Sequence, residues 1–165
     1  VFVSRGFYNL YESGTANYLT SITAHETAHQ WWYGLVGSDQ ALEPWLDEAL
    51  STYSELLFYE KVHPESLEWW WKYRIDYYNP QGVLDTRLYD TIGYRPYVDA
   101  IYLNGAKFLH ELRETIGDEE FFNFVQKYTQ TYAHQIVTAE DFFNLLQTTT
   151  EVDIIPVVDR YFQSQ

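Results

Sequence analysis

The sequence predicts a mainly α-helical fold, with at most a short strand at its N-terminal end. Apolar residues recur at helical spacing in successive segments, and prolines, glycines and asparagines mark the boundaries between these segments. Only the opening segment, residues 1–8, is predicted to be a strand. A chain of 165 residues can bury a sizeable core, so we expect residues 1–165 to form a single domain.

The first predicted helix extends over about residues 15–34. No proline interrupts residues 17–34. The residues that recur there at helical spacing are Tyr18, Ile22, His25, Glu26 and His29. Ser13 or Asn17 could cap the start of this helix, and Gly34 suits its C-terminal end.

A second helix is predicted over about residues 45–61, directly after Pro44. Proline is well placed at the start of a helix because its missing N–H is not needed there. The apolar stripe of this helix comprises Trp45, Leu46, Ala49, Leu50, Tyr53, Leu56 and Leu57. Only a short loop, residues 35–43, separates the two helices, which predicts that they pack as antiparallel neighbours.

Helical patterns continue to the end of the chain. They cover about residues 64–78, 98–116, 118–133, 138–149 and 155–162, so that the C-terminal helices span about 118–162. Asn79-Pro80 is a strong turn signal after the first of them. Asp118 is predicted to cap the helix that it opens, and Thr138 to begin a capping box.

The pattern His-Glu-x-x-His at positions 25–29 predicts a catalytic zinc site. On a helix, His25 and His29 lie on one face, about 6 Å apart along the axis, so two ring nitrogens can converge on one tetrahedral Zn²⁺. Glu26 borders the same site and could take a proton from a metal-bound water. Antiparallel packing would bring Glu48 beside both histidines as a third ligand, with the fourth position left for water.

A less specific interpretation has to be weighed against the zinc site. Two histidines at this spacing are, on their own, more often surface or core residues than metal ligands. The joint pattern with Trp-Leu-Asp-Glu at positions 45–48 favours one zinc ion. The other histidines lack partners at ligand spacing and are predicted to be surface or packing residues; they are His63, His110 and His134.

Three motifs occur in the order found in a known family. They are His-Glu-x-x-His-x18-Glu at positions 25–48, Trp-Leu-Asp-Glu-Ala-Leu-Ser-Thr-Tyr at positions 45–53 and Ile-Tyr-Leu-Asn-Gly-Ala-Lys-Phe-Leu at positions 101–109. Together they resemble the gluzincin metallopeptidases, in particular the aminopeptidase N and leukotriene-hydrolase family. The resemblance implies that the chain is the helical part of a thermolysin-like zinc peptidase catalytic domain.

The resemblance also implies a role for each matching residue. His25, His29 and Glu48 are the implied zinc ligands. Glu26 is the implied general base, and Tyr102 is the implied hydrogen-bond donor to the oxyanion of the reaction intermediate. The implied activity is hydrolysis of a peptide substrate by a metal-activated water, with removal of N-terminal residues in the full-length protein.

The sequence departs from the family pattern at several positions. Asp47 stands where the family usually has asparagine, and Ala49 where it usually has glycine. Leu103-Asn104 replaces a Glu-Lys pair directly after the tyrosine. None of these changes removes an implied ligand, but together they indicate a divergent branch.

One family motif is missing from the sequence altogether. A Gly-x-Met-Glu-Asn strand, whose glutamate grips the free α-amino group of the substrate, does not occur. We therefore expect a truncated catalytic domain that packs against further N-terminal and C-terminal domains. A zinc hydrolase of other specificity, such as an endopeptidase or epoxide hydrolase, and a non-catalytic scaffold both remain open. Glu26 and Tyr102 count against the scaffold, which needs neither a base nor an oxyanion donor.

Composition narrows the possible partners. The chain has 24 acidic and 10 basic residues and a net charge of −14, which argues against nucleic-acid binding. This charge could attract cationic peptides or free amino termini, or could serve solubility alone. No cysteine is present, which excludes disulfides and thiolate zinc ligands but identifies no compartment. No apolar run in the sequence is long enough to span a bilayer.

Three further features have both a functional and a structural interpretation. Glu55 lies two helical turns beyond Glu48 and could accept the outward N–H of a zinc-bound histidine, or could be a solvated surface residue. The irregular segment 83–96 contains residues that could line a substrate cleft: Asp85, Arg87, Tyr89, Asp90 and Tyr94. The aromatic run 69–71 is predicted to form a surface that other domains cover, although a peptide cleft is also open.

Overall fold

The computed structural model describes residues 2–163, and the chain is mainly α-helical, as predicted. The α-helices are α1 (Arg5–Tyr8), α2 (Tyr18–Ala28), α3 (Trp45–Val62), α4 (Leu67–Trp69), α5 (Tyr94–Tyr97), α6 (Asn104–Ile116), α7 (Asp118–Tyr132), α8 (Ala139–Thr149) and α9 (Ile155–Tyr161). Two short strands, β1 (Gly37–Ser38) and β2 (Ile136–Val137), pair in parallel. Shorter 3₁₀ turns are Pro64–Ser66, Asp76–Tyr78 and Leu88–Asp90, and π-helical turns are Trp70–Ile75 and Val98–Leu103.

The strand predicted for residues 1–8 is not formed in its described part, and Val1 lies outside the described residues. Instead, the Ser4 side chain accepts a hydrogen bond from the Gly6 N–H, and α1 follows as one helical turn. Local bonds continue to Tyr11, whose N–H bonds to the Tyr8 carbonyl. A strand needs a neighbouring strand to satisfy its backbone groups, whereas these turns satisfy theirs within the segment.

Helix α2 begins as predicted but ends before Gly34. The Asn17 side chain accepts a hydrogen bond from the Thr20 N–H at 3.0 Å, which caps the helix start. After Ala28 the chain leaves the helix in tight turns, and the Gly34 N–H bonds to the His29 carbonyl at 2.9 Å. A Cβ atom at Gly34 would stand 2.7 Å from the carbonyl oxygen of Gln30, so this close return of the backbone requires glycine.

Helices α2 and α3 pack as antiparallel neighbours, as the short loop predicted. Near the start of α2, the Thr15 carbonyl accepts a hydrogen bond from the Tyr59 hydroxyl, close to the end of α3. Just after the end of α2, His29 contacts Asp47 in the first turn of α3. The β1–β2 pair, which no sequence pattern predicted, ties the connecting loop to residues before α8, with Gly37 opposite Ile136.

The start of α3 is anchored in an aromatic core. Trp45 is 1% exposed and packs edge-on against Phe108, Phe142 and Phe162, with ring centroids 5.0 to 6.0 Å apart. Such aromatic contacts stabilise a core beyond the burial of their surface alone. Glu48 lies one turn after this anchor, so the core holds the predicted third ligand on a rigid element.

The helix predicted over residues 98–116 has an unexpected first turn. It begins earlier, with α5, and continues through the π-helical turn Val98–Leu103 before the regular α6. Tyr102 lies inside this π-helical turn. Turns of this kind are rare and occur frequently at functional sites, so the local backbone conformation is in keeping with a functional role for Tyr102.

The C-terminal helices differ from the prediction at one cap. Asp118 is the first residue of α7 and forms no side-chain cap; its carboxylate instead accepts hydrogen bonds from Arg113 Nε and Nη2 at 2.9 and 3.0 Å. The predicted capping box is present, because Thr138 and Asp141 bond reciprocally at the start of α8. Helix α9 ends the described fold close to the predicted range.

The aromatic run 69–71 does not form the exposed surface that was predicted. Trp70 is fully buried, and its Nε1–H donates a hydrogen bond to Glu55 Oε2 at 2.9 Å. The flanking Trp69 and Trp71 are half-buried, and both pack against the hydrophobic core. The π-helical turn Trp70–Ile75 is therefore core structure, and the aromatic run is explained by packing.

Among residues 2–163, we find no helix with both the length and the apolar character that crossing a membrane requires.

Candidate metal centre

The structure brings together the three predicted metal ligands. His25 projects from the last turn of α2, His29 directly follows that helix, and Glu48 projects from the first turn of α3. One donor atom from each lies within 4.8 Å of the others. The Oε2 atom of Glu48 stands 3.2 Å from His25 Nε2 and 3.7 Å from His29 Nε2. The two imidazole rings are nearly perpendicular, with centroids 4.8 Å apart.

This donor set fits a zinc ion. Zinc binds histidine nitrogen and carboxylate oxygen at about 2.0–2.1 Å, so neighbouring ligand atoms of a tetrahedral site lie about 3.3 Å apart. The two separations from Glu48 lie close to that value. The other ring nitrogen of each histidine faces a carboxylate, which leaves the Nε2 atoms as the natural metal donors.

Glu55 lies in the core beside His25 and does not face the solvent. Its Oε1 atom lies 3.1 Å from His25 Nδ1, and its side chain is fully buried. Arg74 donates two hydrogen bonds to the carboxylate, at 2.8 and 3.0 Å, and Trp70 and Ser21 donate one each. Sequence reasoning could not find this role of Arg74 or Trp70, since no pattern in the sequence connects either residue to Glu55.

His29 has an equivalent partner, Asp47, which in the sequence stands out only as a departure from the family pattern. The Oδ1 atom of Asp47 lies 2.7 Å from His29 Nδ1. The Ser51 hydroxyl stands 3.0 Å from the same nitrogen, and the Trp32 carbonyl oxygen 3.3 Å. Gln40 donates a hydrogen bond to the second carboxylate oxygen of Asp47. Both histidines of the site are thus oriented by a carboxylate on their Nδ1 side.

The electrostatics of the site follow from burial and close pairing. Burial lowers the pKa of His25, but the carboxylates of Glu48 and Glu55 outweigh burial and raise this pKa to about 9. Burial lowers the pKa of His29 as well, and Asp47 outweighs it, so that this pKa also rises. Burial raises the pKa of Glu48, but His25, Tyr102 and His29 together outweigh burial and lower this pKa. Glu48 is therefore held ionised, as a ligand to a cation must be.

Glu26 and Tyr102, the predicted base and oxyanion donor, lie at the same pocket as the three ligands. The Oε2 atom of Glu26 accepts a hydrogen bond from the Phe2 backbone N–H at 3.1 Å. The Tyr102 ring stacks on His25, with centroids 5.7 Å apart and planes 15° from parallel. Burial, and next the Glu48 carboxylate, raise the pKa of Tyr102, so its hydroxyl stays protonated and able to donate.

The pocket in front of the ligands has a volume of about 340 Å³ and an apolar, aromatic wall. That wall includes Phe7, Leu10, Ile22, Tyr78, Tyr94 and Val98. Of the cleft residues predicted within segment 83–96, Tyr94 lines this pocket. Asp85 and Arg87 instead border a separate hollow near α8, and Tyr89 and Asp90 are exposed outside the pocket. Of the five predicted cleft residues, the structure therefore places only Tyr94 at this pocket.

The remaining histidines lie away from the metal centre, as predicted. His63 Nδ1 stands 3.1 Å from Glu65 Oε1, at the partly exposed end of α3. The His110 ring packs on Trp71, with centroids 4.8 Å apart. The backbone N–H of His134 bonds to the Leu35 carbonyl in the loop before β2.

Comparison with known proteins agrees with the geometry of the site. A sequence model of the family described as "Peptidase family M1 domain" matches residues 9–161. Probable aminopeptidase 2 of Sulfurisphaera tokodaii is 28% identical over 141 residues, which cover 78% of this chain and 18% of that protein. Endoplasmic reticulum aminopeptidase 1 of Mus musculus is 25% identical over 151 residues, which cover 87% of this chain and 16% of that protein. The chain thus spans less than a fifth of the length of these relatives.

Solved structures share the fold. A mutant of the M1 zinc metallopeptidase from Deinococcus radiodurans, with a Tyr-Ser-Ala substrate bound, superposes with a TM-score of 0.66 at 25% identity. That match covers 84% of this chain and 31% of the solved chain. A two-domain M1 zinc metallopeptidase mutant bound to L-arginine gives a TM-score of 0.67 at 25% identity, over 86% of this chain and 32% of the solved chain.

Proposed function

Since this chain belongs to the peptidase family M1, we propose that it carries the zinc-binding and catalytic residues of an enzyme that removes N-terminal residues from peptides. The observation that carries the proposal is the convergence of His25, His29 and Glu48 at a pocket that Glu26 and Tyr102 also line. The names of the relatives support the aminopeptidase activity. A zinc-binding scaffold would need the three ligands but neither of the other two side chains.

In this proposal His25 and His29 hold the zinc ion through their Nε2 atoms, and Glu48 through a carboxylate oxygen. When bound, zinc would lower the pKa of a water molecule to about 7 and polarise the substrate carbonyl. Glu55 and Asp47 keep the two rings in place from behind, because each accepts a hydrogen bond from an Nδ1–H. The carboxylate of Glu48 balances part of the metal charge.

Glu26 acts as the general base. It follows His25 directly on α2 and reaches the same pocket, so its carboxylate can take a proton from the attacking water. It then delivers this proton to the nitrogen of the leaving amine. The hydrogen bond from the Phe2 N–H to Glu26 Oε2 leaves the other carboxylate oxygen available for this transfer.

Tyr102 stabilises the transition state. Its hydroxyl is protonated, since burial and the nearby Glu48 carboxylate raise its pKa, and this proximity to Glu48 puts it on the metal side of the pocket. The ring stacks on that of His25. A hydrogen bond from this hydroxyl to the developing oxyanion strengthens as negative charge forms, which accelerates the reaction.

The test uses the full-length protein that contains this chain. We expect it to retain one zinc ion per chain and to hydrolyse aminoacyl reporter substrates. Glu26→Gln should keep the zinc and lose almost all activity, because the amide cannot accept the proton. Equal activity of the two proteins, or inactivity of both with zinc bound, would overturn the mechanism.

A second experiment tests whether cleavage starts at the free amino terminus of the peptide. The same peptide is offered with a free amino terminus and with an acetylated one. We expect cleavage only of the free form, one residue at a time from the N-terminal end. Cleavage of the acetylated peptide at internal bonds would instead identify an endopeptidase. Matched peptides keep the side chains constant, so the result depends only on the amino terminus.

A further inference from the structure

Asp47 is a buried carboxylate next to a proposed metal ligand. The residue is 1% exposed and lies in the first turn of α3. Its Oδ1 atom lies 2.7 Å from His29 Nδ1, and its Oδ2 atom accepts a hydrogen bond from Gln40 Nε2 at 2.5 Å. Both oxygens therefore have a partner within the protein.

Of these two partners, only the imidazole of His29 can neutralise the negative charge of Asp47. A buried carboxylate is costly unless a positive group compensates it. Among the ion pairs of residues 2–163, Asp47 pairs with His29 and with no lysine or arginine. Gln40 supplies a neutral amide. The compensating charge must therefore come through the ring of His29.

The other histidine of the site, His25, has a carboxylate partner with a different environment. The partner of His25 is Glu55, whose charge is already balanced by the buried guanidinium of Arg74 at 2.8 Å. Arg74 thus compensates the charge of Glu55 independently of His25. Asp47 has no such second cation among the described residues, so its full charge acts on His29.

We propose that Asp47 is a positioning residue that holds His29 as a strong zinc donor. Its carboxylate accepts the Nδ1–H, which fixes the tautomer whose Nε2 atom faces Glu48, 3.7 Å away. Its negative charge raises the electron density of the ring and so strengthens the Nε2 donor. The inference rests on the proposed zinc site and adds a determinant of its metal affinity.

Two other acceptors limit the expected effect. The Ser51 hydroxyl and the Trp32 carbonyl stand 3.0 and 3.3 Å from His29 Nδ1. Either could accept the proton when the carboxylate is removed, so the ring would keep its orientation. What the carboxylate adds is its charge, and a substitution that removes only the charge isolates that contribution.

The experiment measures the zinc dissociation constant of the full-length protein by competition with a chelator. Asp47→Asn keeps the size and one acceptor oxygen, and we expect zinc binding to weaken about 10- to 100-fold. Glu151→Gln removes the same charge from an exposed side chain between α8 and α9, and should change the affinity less than twofold. Asp47→Ser serves as a second variant, with the same expected loss, where the asparagine variant does not fold.

A second measurement separates this role from a merely structural one. In the zinc-loaded protein, the Nδ1–H proton of His29 should resonate far downfield in the NMR spectrum, because it donates to a carboxylate. In Asp47→Asn it should move upfield, since hydrogen bonds to a neutral acceptor are weaker. A general loss of packing would not produce this specific change.

The outcomes distinguish this inference from the proposed function. Zinc binding by Asp47→Asn within twofold of the wild-type protein overturns the role of Asp47 and leaves the zinc peptidase intact. A wild-type protein that binds no zinc overturns both. A wild-type protein that binds zinc but hydrolyses no peptide overturns the proposed function alone, and the affinity ratio still decides the role of Asp47.

Discussion

Gly105, at the start of α6, lies directly against Ala49 in α3. A Cβ atom built on Gly105 would stand 2.3 Å from the Cβ atom of Ala49 and 3.1 Å from its Cα atom. This contact joins the helical segment that carries Tyr102 to the helix that carries Glu48. Because each functional residue lies within three positions of the contact, the spacing of the two helices there sets how closely Tyr102 approaches the metal centre.

Gly105→Ala should therefore separate the two helices. Backbone and side-chain atoms must both move, and overpacking of this kind typically costs about 1–3 kcal/mol of unfolding free energy. We also expect kcat for peptide hydrolysis to fall, since small displacements at a catalytic site are costly. Denaturant unfolding and steady-state kinetics measure the two effects.

Ala49→Gly is the compensating substitution for Gly105→Ala, because it removes the Cβ atom on the other side of the contact. Combined with Gly105→Ala, it should restore part of the lost stability, but not all, because the Cα atom at position 49 would still be 3.1 Å away. A double-mutant cycle measures this coupling. Independent, additive effects of the two substitutions would show that the contact is not tight in solution.

Tyr102→Phe should lower kcat by about 10²- to 10³-fold and change KM little, because the hydroxyl acts on the transition state and not on the bound substrate. The ring stacks on His25 in either form, so stability should be retained. Tyr97→Phe is the control, since this neighbouring ring packs edge-on against Tyr102 at 5.8 Å. Similar losses in both variants would contradict a specific role for the Tyr102 hydroxyl.

Glu55 should make the stability of the protein sensitive to acid. Burial raises its pKa, but Arg74 and His25 outweigh burial and lower this pKa to about 2, below the unfolded value of about 4.3. Ionised Glu55 thus stabilises the fold fully above the unfolded pKa, and this contribution, about 3 kcal/mol, is lost as the pH falls from about 4 through 2. Unfolding free energies measured from pH 6 to pH 2 test this.

Glu55→Gln should flatten that acid dependence. It should also destabilise the protein by about 3–5 kcal/mol at neutral pH, because the buried Arg74 guanidinium loses its counter-charge. Glu151→Gln, on the surface, should leave both the stability and its pH dependence close to wild type. An unchanged acid transition in Glu55→Gln would show that other carboxylates control it.

Removal of zinc with a chelator should abolish peptide hydrolysis and lower the thermal midpoint. Free zinc at 100 times its dissociation constant should stabilise the folded state by about 2.7 kcal/mol, through mass action. His25→Gln should remove this stabilisation, because it deletes one of three ligands. His63→Gln should keep this stabilisation, because the His63 ring pairs with Glu65 outside the pocket. Calorimetric melting with and without added zinc measures the difference.

The core of the candidate metal centre could be predicted from local sequence. The helical period alone puts His25 and His29 on one face, and the short loop requires α3 to return along α2 with Glu48 in its first turn. The mainly helical class followed from the same periodicity, which the structure confirms. These features depend on residues that are close along the chain, so their pattern is visible without a structure.

Other parts of the site depend on packing that no sequence pattern signals. Arg74 and Trp70 reach Glu55 only because the π-helical turn that carries them packs against α3. No local pattern signals this arrangement, and the aromatic run was for that reason mistaken for an exposed surface. The same holds for the β1–β2 pair, whose two-residue strands are too short to show any periodicity.

Local sequence was therefore enough to specify the helices, the spacing of the histidines and the chemistry of the donor set. Tertiary packing decided which groups stand behind that set: Asp47 behind His29 and Glu55 behind His25. The reason is physical. Helix geometry follows from neighbouring residues, whereas the burial of a charge and the choice of its partner depend on every segment that closes the core around it.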